Sequence, residues 1–135
     1  MNNKQIMNNK QIGTEFEQEM CQWLNDDGWW VHFISPDKRG AQPFDIIAVK
    51  DGLAIAADCK TCKSYFFSID RLEDNQWMAF DKWKACGNSE PLIFVKHKNA
   101  VYCVEYREFD EYEKVDLRER KPMCTLSEQE GNDVF

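Results

Sequence analysis

The chain has 135 residues, 43% of them apolar and 13% aromatic, enough for one core-bearing domain and too few for two, and too hydrophobic to remain unfolded. No apolar run approaches the roughly 18 residues that span a bilayer, and the polar start MNNKQIMNNKQI lacks the core of a signal peptide, so a cytoplasmic protein without membrane association is expected. The net charge of −7 argues against indiscriminate attraction to nucleic acid, yet Glu105 to Phe135 alone, with ten acids and five bases, accounts for −5 of it.

In chain order, the hexapeptide MNNKQI occurs twice, at 1–6 and 7–12; six residues are too short for a structural repeat, and 1–12 is set apart as a disordered segment. Thr14 to Asp27 reads as a helix, with Phe16, Met20, Trp23 and Leu24 at steps of three and four and Gly28 as the stop. Trp29 to Ser35 reads as a strand, followed by a loop through Gln42. Phe44 to Lys50 and Leu53 to Lys60 form a hairpin across Asp51-Gly52, a strong two-residue turn signal. A second helix spans Asp70 to Cys86 and ends at Gly87. Leu92 to His97 and Ala100 to Glu105 make a second hairpin across Lys98-Asn99, and Arg107 to Leu117 a short helix. The expectation is an α/β (α+β) domain over 13–117, a central mixed β-sheet flanked by helices in the order α-β-β-β-α-β-β, with a mobile acidic tail over 118–135. Six cysteines without an export signal read as free thiols, and Cys59-x-x-Cys62 lacks the second close pair that a structural zinc site uses.

The tight hairpin fixes a register. With Lys50 facing Leu53, Asp45 falls opposite Asp58, and facing residues project to one side of the sheet with Cβ atoms roughly 4.5–5.5 Å apart. Two carboxylates so placed repel unless something positive lies between them, and a divalent cation is the natural candidate. Lys60, two residues past Asp58, projects to the same face. On the first helix Glu17 falls inside the apolar arc, where a carboxylate needs a partner. It either reaches back in a capping box from Thr14 or turns toward the carboxylate pair. Gln76 sits among Leu72, Ala79, Phe80 and Trp83 on the second helix, as a hydrogen-bonded amide at the core edge or as part of the same site. Surface aspartates at strand ends, or a one-residue bulge, are the alternatives to the facing pair.

Asp45, then Asp58-x-Lys60 on the next strand, with Glu17 on the preceding helix, resembles the PD-(D/E)xK nuclease motif of the restriction-endonuclease-like fold, whose core order is α-β-β-β-α-β. More closely, the run GTEFEQE from Gly13, then Gly28, Phe44 to Ala48 and Asp58-Cys59-Lys60 is similar to archaeal-type Holliday junction resolvases and their phage and bacterial relatives. The resemblance covers about residues 13–104. It implies a metal-dependent endodeoxyribonuclease that hydrolyses DNA phosphodiesters, most specifically in branched DNA, and works as a homodimer. By the same resemblance Asp45, Asp58 and the Cys59 backbone carbonyl would hold Mg²⁺ or Mn²⁺, with Glu17 a further ligand, directly or through water. Lys60 would stand by the scissile phosphate and Gln76 would correspond to a helix glutamine of the superfamily, while Lys38, Arg39 and Lys63 would contact DNA. The sequence departs from the pattern in two places: Phe44 precedes Asp45, with Pro43 one place early, and Asp58 stands where glutamate is commoner. A restriction-like or repair nuclease acting on other DNA, and a catalytically silent binding module of the same fold, are the competing readings.

Overall fold

The computed structural model describes residues 8–35 and 42–126. Helix α1 (Asn9–Asp26) starts five residues ahead of the predicted boundary. Its cap lies in the second copy of the duplicated hexapeptide: Asn8 Oδ1 accepts from the Gln11 N–H at 2.8 Å, and Gln11 Oε1 accepts from the Asn8 N–H at 2.9 Å. This reciprocal pair satisfies two amides that the first turn would leave open. Residues 8–12 are therefore part of the fold rather than of a disordered leader, whereas 1–7 lie outside the described residues. The capping box predicted at Thr14 is not formed, because Thr14 is already inside the helix.

Six strands make the main sheet in the order β1-β2-β3-β5-β6-β8: β1 (Trp30–Phe33), β2 (Ile46–Lys50), β3 (Leu53–Thr61), β5 (Leu92–His97), β6 (Ala100–Glu105) and β8 (Cys124–Thr125). Only β3 and β5 run parallel; β4 (Phe66–Ser68) and the helix α2 (Asp74–Ala85) occupy the crossover between them, as a parallel connection requires. Both predicted hairpins form, and the residues before their turn partners, Asp51 and Lys98, take the left-handed conformation such tight turns demand.

Each face of the sheet is covered. Phe16, Met20 and Leu24 of α1 pack on Ile46, Ala48, Ile55, Ala57 and Phe94. Phe80 of α2 joins Phe44, Phe67, Ile93, Val95 and Val104 on the other face. Alternation along β3 thus sends Ala57 and Cys59 toward α1 and Ala56 toward α2.

The C-terminal third departs from the prediction. Instead of one helix over 107–117 there is a 3-10 turn (Tyr106–Asp110), the strand β7 (Lys114–Asp116) paired with β4, and a second 3-10 turn (Leu117–Glu119). Val115 and Leu117 are buried while Lys114 is exposed, a period of two. The tail expected from 118 is ordered through Leu126, with β8 paired to β6 and the Arg120 guanidinium bound to Glu108 and to the Cys103 carbonyl at 3.2 Å. Residues 127–135 lie outside the described residues. The second predicted helix also begins later, because a 3-10 turn at Ile69–Arg71, capped by Ser68, precedes α2. No helix among the described residues is long and apolar enough to cross a membrane.

Candidate active site

The ladder between β2 and β3 keeps the predicted register from Lys50–Leu53 to Ile46–Ala57 and then ends, while β3 continues to Thr61. At this fork the Asp45 N–H donates to Ala57 O at 3.1 Å and the Ile34 N–H donates to Asp45 O at 2.7 Å. Ala57 is also the residue that Ile46 faces, so the chain slips by one at the mouth of the hairpin, the anticipated bulge. The slip does not part the two acids. Asp45 Oδ2 accepts from the Cys59 N–H at 2.8 Å, which sets its carboxylate against Asp58. Asp45 is 3% exposed and Asp58 is 0% exposed.

Asp58 is oriented from α2. The Gln76 amide donates through Nε2 to Asp58 Oδ1 at 3.0 Å, while its Oε1 accepts from Lys60 Nζ at 3.1 Å and from the Glu73 N–H at 3.0 Å. Gln76 is thus a buried amide that closes the capping box of α2 and also bridges Asp58 and Lys60. Lys60 Nζ lies 3.2 Å from Asp58 Oδ2, at an angle that makes no hydrogen bond, so this buried oxygen accepts none. Burial, and then the negative charge of Asp45, hold the Asp58 carboxyl well above the usual carboxylate range, against the opposing pull of Lys60.

Glu17 reaches this group from the other side. Because α1 covers the face that carries Ala57 and Cys59, Glu17 does not share a sheet face with Asp58 and Lys60 as the helical pattern suggested. It still feels the pair: burial and then Asp45 raise its carboxyl to about 7, with Lys60 opposing. Among the described residues no three His, Cys, Asp or Glu side chains converge closely enough to hold a metal ion by themselves. All six cysteines are free thiols, and burial pushes the Cys59 thiol up.

Beside Lys60 opens a cleft of about 530 Å³ between the first turns of α1 and the segment from β3 to the 3-10 turn before α2. Lys63 lines it, together with Arg71 and the hydroxyl residues Thr61, Ser64 and Ser68. Asn9 and Gly13 complete its α1 side. Asn9 falls in the segment expected to be disordered, and the hydroxyls lie outside the expected site, although the polar run Thr61 to Ser64 directly follows Lys60. Lys38 and Arg39 lie outside the described residues. Lys84 does not reach the cleft and is paired with Glu90 at 3.0 Å.

Residues 8–128 match the family described as archaeal Holliday junction resolvase (Hjc). The solved structure of Archaeoglobus fulgidus Hjc, a Holliday junction resolvase from an archaeal hyperthermophile, superposes with a TM-score of 0.61 at 20% identity, over 77% of this chain and 88% of that one. At that identity the likeness is one of fold, and it is the restriction-endonuclease-like fold anticipated from the motifs. No curated protein sequence matches the chain. Because the family match runs through nearly every described residue, from the cap of α1 past β8, the chain belongs to the archaeal Holliday junction resolvase family of structure-specific DNA nucleases.

Proposed function

We propose that this chain hydrolyses phosphodiesters at branch points in DNA with Mg²⁺ or Mn²⁺ bound by Asp45, Asp58 and the Cys59 backbone carbonyl, and with Glu17 joining through water. The observation that carries this reading is Asp58 Oδ2: fully buried, set against a second carboxylate and accepting no hydrogen bond. Lys60 Nζ at 3.2 Å offsets one of the two facing carboxylates, and a further cation between them would offset the other. In a strand the N–H and C=O of one residue point to the same side, so the Cys59 carbonyl turns with its N–H toward Asp45, into the space where β2 no longer pairs. The donors are hard oxygens, which suit magnesium or manganese better than zinc, and magnesium commonly keeps several of its waters, consistent with a set of only two close carboxylates.

When bound, the cation supplies an acidified water and charge neutralisation for in-line displacement at phosphorus. The remaining steps belong to the chain. Lys60, held by Asp58 and Gln76, presents its ammonium to the phosphate as negative charge develops there. Gln76 keeps Asp58 and Lys60 in fixed relation, and Lys63 neutralises a phosphate in the adjoining cleft. Two symmetric cuts across a four-way junction require two active sites, which a two-fold homodimer provides; Trp77 and Met78, exposed on α2, offer apolar surface for it.

The test is cleavage of a four-way junction, a matched linear duplex and single-stranded DNA in Mg²⁺ or Mn²⁺, beside Asp58→Asn. Paired nicks flanking the branch point, slowed by roughly 10²–10³-fold or more in the variant, are expected. Equal cutting of linear duplex would discard the branched substrate, and no cutting of any DNA would discard the reading altogether.

A further inference from the structure

Helix α1 carries a glycine in its interior. Gly13 lies one turn into α1 and keeps ordinary helical backbone, so no left-handed conformation requires it. A Cβ built on it would meet nothing within 4 Å among the described residues, so no close packing with them requires it either. Glycine is nevertheless the least favourable residue inside a helix after proline. What Gly13 does border is the cleft beside Lys60, in line with Asn9 and Glu17 at helical steps of four.

The cleft has a second peculiarity. In a chain of net charge −7, its lining among the described residues contains Lys60, Lys63 and Arg71 and the hydroxyls of Thr61, Ser64 and Ser68, but not one carboxylate. Cations with interspersed hydroxyls are the side chains that contact phosphate oxygens without reading bases. Its volume of about 530 Å³ suits a small ligand-sized group, and through Lys60 it adjoins the carboxylate pair.

From these observations we infer that the cleft holds the sugar-phosphate backbone of the cut strand next to the scissile phosphate, and that Gly13 is where this backbone passes closest to α1. Arg71 and Ser68 join Lys63 as its phosphate contacts. Arg71 is already positioned for this by a hydrogen bond of 2.9 Å from its guanidinium to Thr61 O, which leaves further donors free. A side chain at position 13 would fill space that the fold leaves open and the substrate uses. The inference rests on the nuclease reading above and adds the path of the strand.

The full-length protein with Gly13→Ala, Gly13→Leu and Arg71→Gln tests it, each compared with wild type in three measurements: melting without DNA, affinity for a labelled four-way junction in EDTA across a salt series, and cleavage in Mg²⁺. Gly13→Ala should melt a few degrees higher, by about 2–5 °C, and yet bind the junction several-fold more weakly. Gly13→Leu should bind at least tenfold more weakly without melting lower. Arg71→Gln should reduce the salt slope by roughly one. Gly13 variants that bind as tightly as wild type, together with an unchanged salt slope for Arg71→Gln, would overturn the inference while wild-type cleavage kept the nuclease reading intact. Should Gly13→Leu fail to fold, Gly13→Ala and Arg71→Gln decide. A wild-type protein that neither binds nor cuts junctions would instead defeat the function on which the inference stands.

Discussion

Asp58 and Glu17 are carboxyls placed where water is scarce and negative charge is near, and both are harder to ionise than a free acid. For Glu17 the sign follows directly. Its carboxyl ionises at about 7 in the fold against an ordinary 4.5, so folding favours the protonated form, and its contribution to stability is lost as pH rises from about 4.5 to about 7. Glu17 is half buried, and after solvent screening the loss is about 1–2 kcal/mol. The metal-free Glu17→Gln protein should therefore melt above wild type at pH 8 and level with it at pH 4, measured by thermal unfolding in EDTA; an equal margin at both pH values would contradict the account. Asp45 and Asp58 were legible beforehand because Asp51-Gly52 fixes the register within a few residues of them. The sheet face that receives Glu17 was not: a helical wheel gives the angle of a side chain about its own axis, whereas the face a helix covers is set by long-range packing. Gln76 illustrates the same limit, since its sequence position shows an amide on an apolar stripe but not that one oxygen serves both Glu73 and Lys60.

Among the elements, the ends of α1 and the nature of β7 show what local pattern carries and what it does not. Asn8-x-x-Gln11 is a capping box in plain sequence, obscured because it falls inside a duplicated hexapeptide that resembles a leader. Asn8→Ala should cost about 1 kcal/mol of stability and lower the melting temperature by about 2–4 °C, while Asn8→Ser retains most of it. A loss below a few tenths of a kilocalorie would show that the cap is dispensable. The stretch before Leu117 misled for a different reason. Phe109, Tyr112 and Val115 recur at steps of three, a helical spacing, whereas the residues that matter for packing are Val115 and Leu117, two apart, facing the core beside β4. Two short strands from distant parts of the chain form that small sheet, and neither is long enough to announce itself alone.

For the molecule as a whole, the balance of charge is uneven in a way that composition hides. A net −7 argues against binding DNA, but among the described residues the cleft beside Lys60 is lined by Lys60, Lys63 and Arg71 and by no carboxylate. Binding to DNA should accordingly be strongly salt-dependent. The molecule packs two layers over one sheet, and the Asp45–Asp58 carboxylate pair lies at the fork where β2 and β3 cease to pair. One feature ties that fork to the outer layer. Gln76 closes the first turn of α2 with the same oxygen that holds Lys60, while its amide nitrogen holds Asp58. Helix ends fray before sheets melt, and here the fraying of one turn would release Asp58 and Lys60, the two side chains proposed to act on the phosphodiester. Heat should thus silence the enzyme before it unfolds it: half-maximal loss of cleavage is expected several degrees below the cooperative melt seen by circular dichroism, and coincidence of the two curves would show the helix end to be as firm as the sheet.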